Sequence, residues 1–106
     1  MQVRDLIFHV DQEEIRFWIK PFGQWQVIPW SDIDQAYVRE YALWGEYPKG
    51  IAGIRQGPNG WVYSAGGTYG LQINKKSGGK ILLGTQRPDE LREFLAALSK
   101  VTTKPL

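Results

Sequence analysis

Eleven of the twelve glycines in this 106-residue chain fall between Gly45 and Gly84. They break that stretch into short hydrophobic runs that lead into one strongly amphipathic segment. The runs are Gly50-Ile51-Ala52-Gly53-Ile54-Arg55, Trp61-Val62-Tyr63-Ser64-Ala65-Gly66, Gly70-Leu71-Gln72-Ile73 and Lys80-Ile81-Leu82-Leu83-Gly84. Glycine within or beside strands permits positive φ, bulges and sharp bends, which a small barrel needs at its corners. Runs of this length and spacing predict a meander of antiparallel strands. Its turns fall at Gly57-Pro58-Asn59-Gly60, Gly66-Gly67-Thr68 and Lys76-Ser77-Gly78-Gly79. The fold expected is mainly β, a small barrel or sandwich closed by a C-terminal helix.

That helix is predicted over 88–100. Leu91, Phe94, Leu95 and Leu98 stand at i, i+3, i+4 and i+7, an apolar stripe facing a core, and Val101 continues it. Pro88 suits the first turn, and Asp89 and Glu90 complement the positive end of the helix dipole, as Lys100 complements the other. Residues 101–106, with Thr-Thr-Lys-Pro, are expected to form a frayed tail.

The first half reads as strands of period two. Leu6, Phe8 and Val10 alternate with Ile7 and His9; Ile15, Phe17 and Ile19 alternate with Arg16, Trp18 and Lys20. The two segments predict a hairpin across Asp11-Gln12-Glu13, ended by Pro21-Phe22-Gly23. Trp25–Ile28 predicts a third strand, stopped at Pro29-Trp30-Ser31-Asp32-Ile33, where Ser31 or Asp32 can bond nearby backbone N–H groups. Ala36–Tyr41 predicts a fourth, with Tyr37, Arg39 and Tyr41 on one face and Ala36 and Val38 on the other. Leu43–Gly50 has no clean period and reads as a loop.

Length allows one domain over 1–106 with a single core. Five Trp, five Tyr and four Phe, with twelve Gly and six Pro, favour strands and turns over a helix bundle. With no cysteine, disulfides and thiolate metal sites are excluded, and a cytoplasmic location is expected. No apolar run approaches the roughly 18 residues of a membrane-spanning helix, and the first residues lack a signal core. The net charge of +2 is unevenly spread: residues 1–47 carry four basic and eight acidic groups, residues 48–106 nine and three.

One order of residues resembles a known family. Trp30-x-Asp32-Ile33, Gly53-Ile54-Arg55, Tyr63-Ser64-x-Gly66, Gly70-Leu71 and Gly84-Thr85-Gln86-Arg87-Pro88-x-Glu90-Leu91 look like the bacterial pleckstrin-homology-like domains, from about Gln26 onward. The family occurs in uncharacterised proteins, often beside a membrane-spanning hairpin. The resemblance implies a strongly bent barrel-like sandwich of about seven antiparallel strands, with the C-terminal helix plugging one open end. Where the family usually shows Gly-Gly-Trp-Gly-Ile-Arg, this chain has Gly50-Ile51-Ala52-Gly53-Ile54-Arg55, so any role of that tryptophan is absent.

Chemistry-bearing patterns are sparse. His9 is the single histidine, which excludes a histidine-rich metal site or a paired-histidine catalyst, and it is expected to face solvent from a strand. Glu13, Glu14, Asp32 and Asp34 read as solvated turn residues. Nucleophile elbows and phosphate-binding loops are absent from the sequence. The expectation is a protein that is not an enzyme and uses no cofactor or metal. Trp18, Trp25, Trp44 and Tyr47 are the aromatic residues that core alternation explains least. They are expected to form an exposed apolar patch for a protein partner or self-association, with Trp44 and Tyr47 in their loop as its best members. Lys75, Lys76 and Lys80 flank one hairpin tip and offer an alternative, attachment to an anionic membrane surface at the inner face of a membrane. Single-stranded nucleic acid is a further alternative, weakened by the acidic first half.

Overall fold

A computed structural model of the chain describes residues 2–3, 6–19, 22–51, 54–58, 60–64 and 68–98. The chain is mainly β with one C-terminal helix. Its ten strands lie in two sheets that do not join into a closed barrel among the described residues. The expected turn residues Pro21, Asn59, Gly66 and Gly67, the run residues Ala52 and Gly53, and Lys100 with the 101–106 tail lie outside the described residues.

The first sheet is an antiparallel meander in chain order: β1 (Gln2–Val3), β2 (Leu6–Val10), β3 (Glu14–Ile19) and β4 (Phe22–Pro29). Leu6, Phe8, Val10, Ile15 and Phe17 are buried while His9 is exposed, the inward and outward alternation that the sequence predicts. The β2–β3 turn is held by Asp11, whose Oδ1 accepts the Glu13 and Glu14 N–H groups, each at 2.9 Å. Phe22 and Gly23, expected to break the chain, belong to β4 instead. Only residues 20 and 21 separate the hairpin pair Ile19↔Phe22, so the reversal is too tight to use more.

A 3-10 turn, Trp30–Asp32, carries the chain into the second sheet. Its strands are β5 (Ile33–Glu40), β6 (Lys49–Ile51), β7 (Ile54–Gly57), β8 (Gly60–Tyr63), β9 (Tyr69–Lys75) and β10 (Lys80–Thr85). They lie in the order β5-β9-β10-β8-β7-β6. Two expectations are corrected here. Among the described residues the strands number ten, against the seven or so expected, and they do not all run antiparallel. β10 slots between β9 and β8 and runs parallel to β8, with Ile81, Leu82 and Leu83 opposite Trp61, Val62 and Tyr63. Gly60 permits that approach: its φ is +91°, and a Cβ there would collide with the Lys80 carbonyl oxygen. The stretch read as a loop, Leu43–Gly50, contains a single helical turn α1 (Leu43–Glu46) and the start of β6.

The C-terminal helix α2 (Pro88–Ala97) begins with proline in its first turn, as predicted. Leu91 and Leu95 are buried between the sheets, in one cluster with Leu6 and Phe8 of the first and Ala36, Leu71, Ile73 and Leu83 of the second. A second, smaller cluster of Tyr41, Tyr47, Val62 and Leu82 fills the opposite face of the second sheet. Adjacent residues Leu82 and Leu83 thus serve different clusters, which is how β10 comes to be buried on both faces.

Candidate binding surface

The outer face of the first sheet is the surface least explained by packing. Alternation turns Ile7 and His9 of β2, Arg16 and Trp18 of β3, and Trp25 and Val27 of β4 away from the core. The rings of Trp18 and Trp25 lie 5.8 Å apart and those of His9 and Trp25 5.9 Å apart, each pair tilted. The Arg16 guanidinium stands 5.9 Å from the Trp25 ring centre and also pairs with Glu14 at 3.3 Å. Trp25 remains 42% exposed and Val27 53%. An aromatic ring flanked by a guanidinium and an imidazole, beside an exposed branched aliphatic, suits a partner's apolar side chains or planar groups.

His9 continues this face into a groove of about 290 Å³ between β2 and α2. The groove is lined by Phe8, Val10, Leu91 and Phe94, with Arg87 and Glu90 at its rim. Those two rim residues pair at 3.4 Å in full solvent. Phe94 departs from its expected place in the core stripe, since its side chain is 49% exposed. At 100° per residue it stands at the margin of the arc that Leu91, Leu95 and Leu98 define, so it borders the groove and does not enter the core.

The four predicted patch residues separate. Trp18 and Trp25 come together on the outer face, Trp25 exposed as expected and Trp18 half-buried. The Trp44 side chain lies outside the described residues. Tyr47 is corrected: it is fully buried, not an exposed loop aromatic. Its ring packs edge-on to Tyr41 at 6.3 Å, and its hydroxyl accepts an Arg39 N–H at 3.1 Å. Burial raises the Tyr47 and Tyr41 hydroxyls above their ordinary pKa. The loop is drawn inward by two arginines. Arg55, itself buried, donates to the carbonyls of Tyr47 at 2.7 Å and Pro48 at 2.8 Å. Arg39 holds both carboxylate oxygens of Glu46, at 2.8 and 3.2 Å, and donates to Gln72 at 3.0 Å. Burial opposes the Arg39 charge, yet the Glu46 carboxylate keeps its pKa above the ordinary value.

Lys75, Lys76 and Lys80 do surround one tip, between β9 and β10, where Gly78 and Gly79 supply the positive φ of the turn. The tip already holds an anion. Asp32, expected to be a solvated residue bonding nearby backbone, is half-buried and reaches across the molecule. Its Oδ1 accepts the Ser77 N–H and its Oδ2 the Ser77 hydroxyl, both at 2.9 Å, while its carbonyl accepts the Lys76 N–H at 2.7 Å.

Among the described residues no three or more His, Cys, Asp or Glu side chains come together as a metal site, and no helix is long and apolar enough to cross a membrane. Sequence reasoning missed Val27 and Phe94. The signal for Val27 was its place two residues after Trp25 on one strand; for Phe94 it was the stripe margin. Compared with protein families, curated proteins and solved structures, the chain matches none.

Proposed function

We propose that the chain is a non-catalytic binding or scaffolding module that takes a protein segment, foreign or its own, on the outer face of the first sheet. The observation that carries this is the meeting of Trp18, Trp25, His9 and Arg16 on one face, with Trp25 and Val27 left substantially exposed. Exposed aromatics beside a cation, continuous with an apolar groove, have the composition of an interface centre. The pleckstrin-homology-like reading is part of the proposal. The two sheets stand for the halves of a bent sandwich, and α2 for its plugging helix, because Leu91 and Leu95 pack against residues of both. A cytoplasmic location belongs to the same proposal.

Attachment to anionic lipid through Lys75, Lys76 and Lys80 is the weaker alternative. The Asp32 carboxylate binds the tip at Ser77, next to Lys76 in the chain, and uses the Ser77 N–H and hydroxyl that a phosphate would seek. Single-stranded nucleic acid is weaker again, since Arg16, the basic partner of Trp25, already pairs with Glu14.

Selection from a displayed library of random peptides tests the proposal, with anionic vesicles and a labelled single-stranded oligonucleotide as parallel arms. Enriched peptides should lose at least about tenfold in affinity on Trp25→Ala, a substitution on an exposed side chain, and be indifferent to Lys76→Glu. No enrichment, combined with vesicle binding that Lys75→Glu and Lys76→Glu abolish, would transfer the function to the basic tip.

A further inference from the structure

We infer that two copies of this chain pair through the outer edge of β4, antiparallel, about a two-fold axis at Gln26. The inference rests on the binding-module proposal above and names the partner. β4 ends the first sheet and pairs only with β3 among the described residues. The Trp30 N–H donates to the Glu13 carbonyl at 3.0 Å, next to the pair Glu14↔Pro29. Bonded and non-bonded pairs alternate along an antiparallel ladder. The main-chain groups of Ile28 and Gln26 therefore turn toward β3 and those of Val27 turn outward; the register shifts just beyond Gln26, and Trp25, the first residue past it, stays on the side of Val27 through its ring contacts with His9 and Trp18. Trp25 and Val27 are exposed at 42% and 53%, and Gln26 between them is exposed as well.

What covers such an edge is constrained by its hydrogen bonds and its lack of charge. Outward N–H and C=O groups at two-residue spacing are met in full by another extended backbone. From Pro21 to Ser31 the sequence has no charged residue. Edge strands are commonly guarded by charge or by extreme shortness. Among the other edge strands, β5 carries Asp34, Arg39 and Glu40, β6 carries Lys49, and β1 has only two residues. β4 spans eight residues and has neither; its guards are Pro29 at one end and a register shift beyond Gln26 at the other, which leave Gln26 to Ile28 regular between them.

A second copy fits because β4 is complementary to itself. An axis at Gln26 sets Trp25 opposite Val27 of the copy, and Val27 opposite its Trp25, so both bonded pairs join residues that point outward. Each is an aromatic with a β-branched residue, a favourable cross-strand pair. Pro29, which has no N–H to offer, falls outside these pairs. An axis at Val27 would set Trp25 opposite Pro29 and forfeit a donor. A two-fold axis makes the contact closed, so pairing stops at the dimer.

The absence of cysteine makes a clean probe available. In this register Gln26 faces its own copy in a non-bonded pair, where Cα atoms lie about 4.5 Å apart, within disulfide range. Light scattering over a concentration series should show a dimer, and Gln26→Cys should yield a disulfide-linked dimer under mild oxidation. Amide exchange at Trp25 and Val27 should slow as concentration rises, while Gln26 and Ile28, already bonded to β3, stay unchanged. Val27→Lys, with an unaltered circular dichroism spectrum, should raise the dimer dissociation constant by about tenfold or more. A monomer at every concentration overturns the inference. So does a dimer with concentration-independent exchange at Trp25 and Val27 that cross-links through Phe94→Cys and not Gln26→Cys. Either result leaves peptide selection as the independent test of the binding module, and empty selection beside a cross-linked β4 dimer would show the reverse.

Discussion

The two sheets treat their outward faces in opposite ways. The second sheet covers its face with its own chain: the segment after β5 folds back, and Leu43 and Tyr47 pack with Tyr41, Val62 and Leu82. The first sheet leaves much of its face open: His9, Trp25 and Val27 stand exposed there, with Ile7, Arg16 and Trp18 half-buried beside them. Both faces are rich in aromatic residues, so aromatic content alone does not separate cover from binding surface. The difference lies in what holds the neighbouring loop. Arg55 and Arg39 clasp the 42–50 segment over one face, whereas the three connections of the first sheet, two or three residues each, are too short to reach back over the other.

The sharpest way to break this contrast is to truncate one aromatic on each face. Tyr47→Ala removes a fully buried ring and should destabilise the chain by about 4 kcal/mol in urea unfolding. Trp25→Ala should cost about 0.5 kcal/mol or less under conditions where the chain is monomeric. Equal losses would mean that the outer face of the first sheet is packed as tightly as the covered one.

Next in size is the clasp itself. Arg39→Ala should cost about 3 kcal/mol, because in a half-buried site it removes two bonds to the Glu46 carboxylate, which keeps the Ala42 N–H, and the donor to Gln72 Oε1. Arg39→Lys should recover less than half of that, since an ammonium cannot bond both Glu46 oxygens while also reaching Gln72 and the Tyr47 hydroxyl. Full recovery by lysine would reduce the clasp to a simple charge pair.

The same contrast explains what could be read from the sequence. Strands β2 and β3 and the inward set Leu6, Phe8, Val10, Ile15 and Phe17 were legible because one face is solvated and the alternation is clean. Helix α2 was legible for the same reason at its own period. In the second sheet, burial of β9 and β10 on both faces erases the alternation. Ile81-Leu82-Leu83 announces a central strand but not its neighbours, so the parallel insertion beside β8 stayed hidden. Tyr47 was misplaced because its burial depends on Arg39 and Arg55, eight residues before and after it. The outer-face pair Trp18 and Trp25 could be named but not joined, since their contact requires the β3–β4 register.

A third test asks whether the sheets keep their relative placement through the Asp32 latch, which ties the turn leaving the first sheet to the β9–β10 tip of the second. Asp32→Ala removes two bonds to Ser77 and should cost about 1 to 2 kcal/mol. Amide exchange at Ser77 should quicken while that of β2 and β3 is unchanged. The substitution also frees the Ser77 N–H among three lysines, so weak binding of anionic vesicles should appear in the variant if the carboxylate is what excludes them.

The smallest effect separates the first sheet by pH. Asp11 is held below its ordinary value of 3.8, chiefly by the backbone N–H groups of Glu13 and then Glu14, with the charges of Arg16 and His9 adding to them. A carboxyl depressed in the folded state binds protons less readily than in the unfolded chain, so its contribution is present above 3.8 and is lost as pH falls through the folded value. Asp11→Asn keeps the shape of the turn but removes the charge. The variant should be slightly less stable than the parent near neutrality, and the gap should close as the solution is acidified. Because Asp11 also accepts the Trp30 indole N–H through its carbonyl at 2.7 Å, a bond that the substitution leaves in place, the 3-10 turn should keep its amide protection in the variant. A gap that persists at low pH would trace the loss to packing of the turn and not to the carboxylate, and would make the β2–β3 turn as dependent on neighbouring structure as the clasped loop of the second sheet.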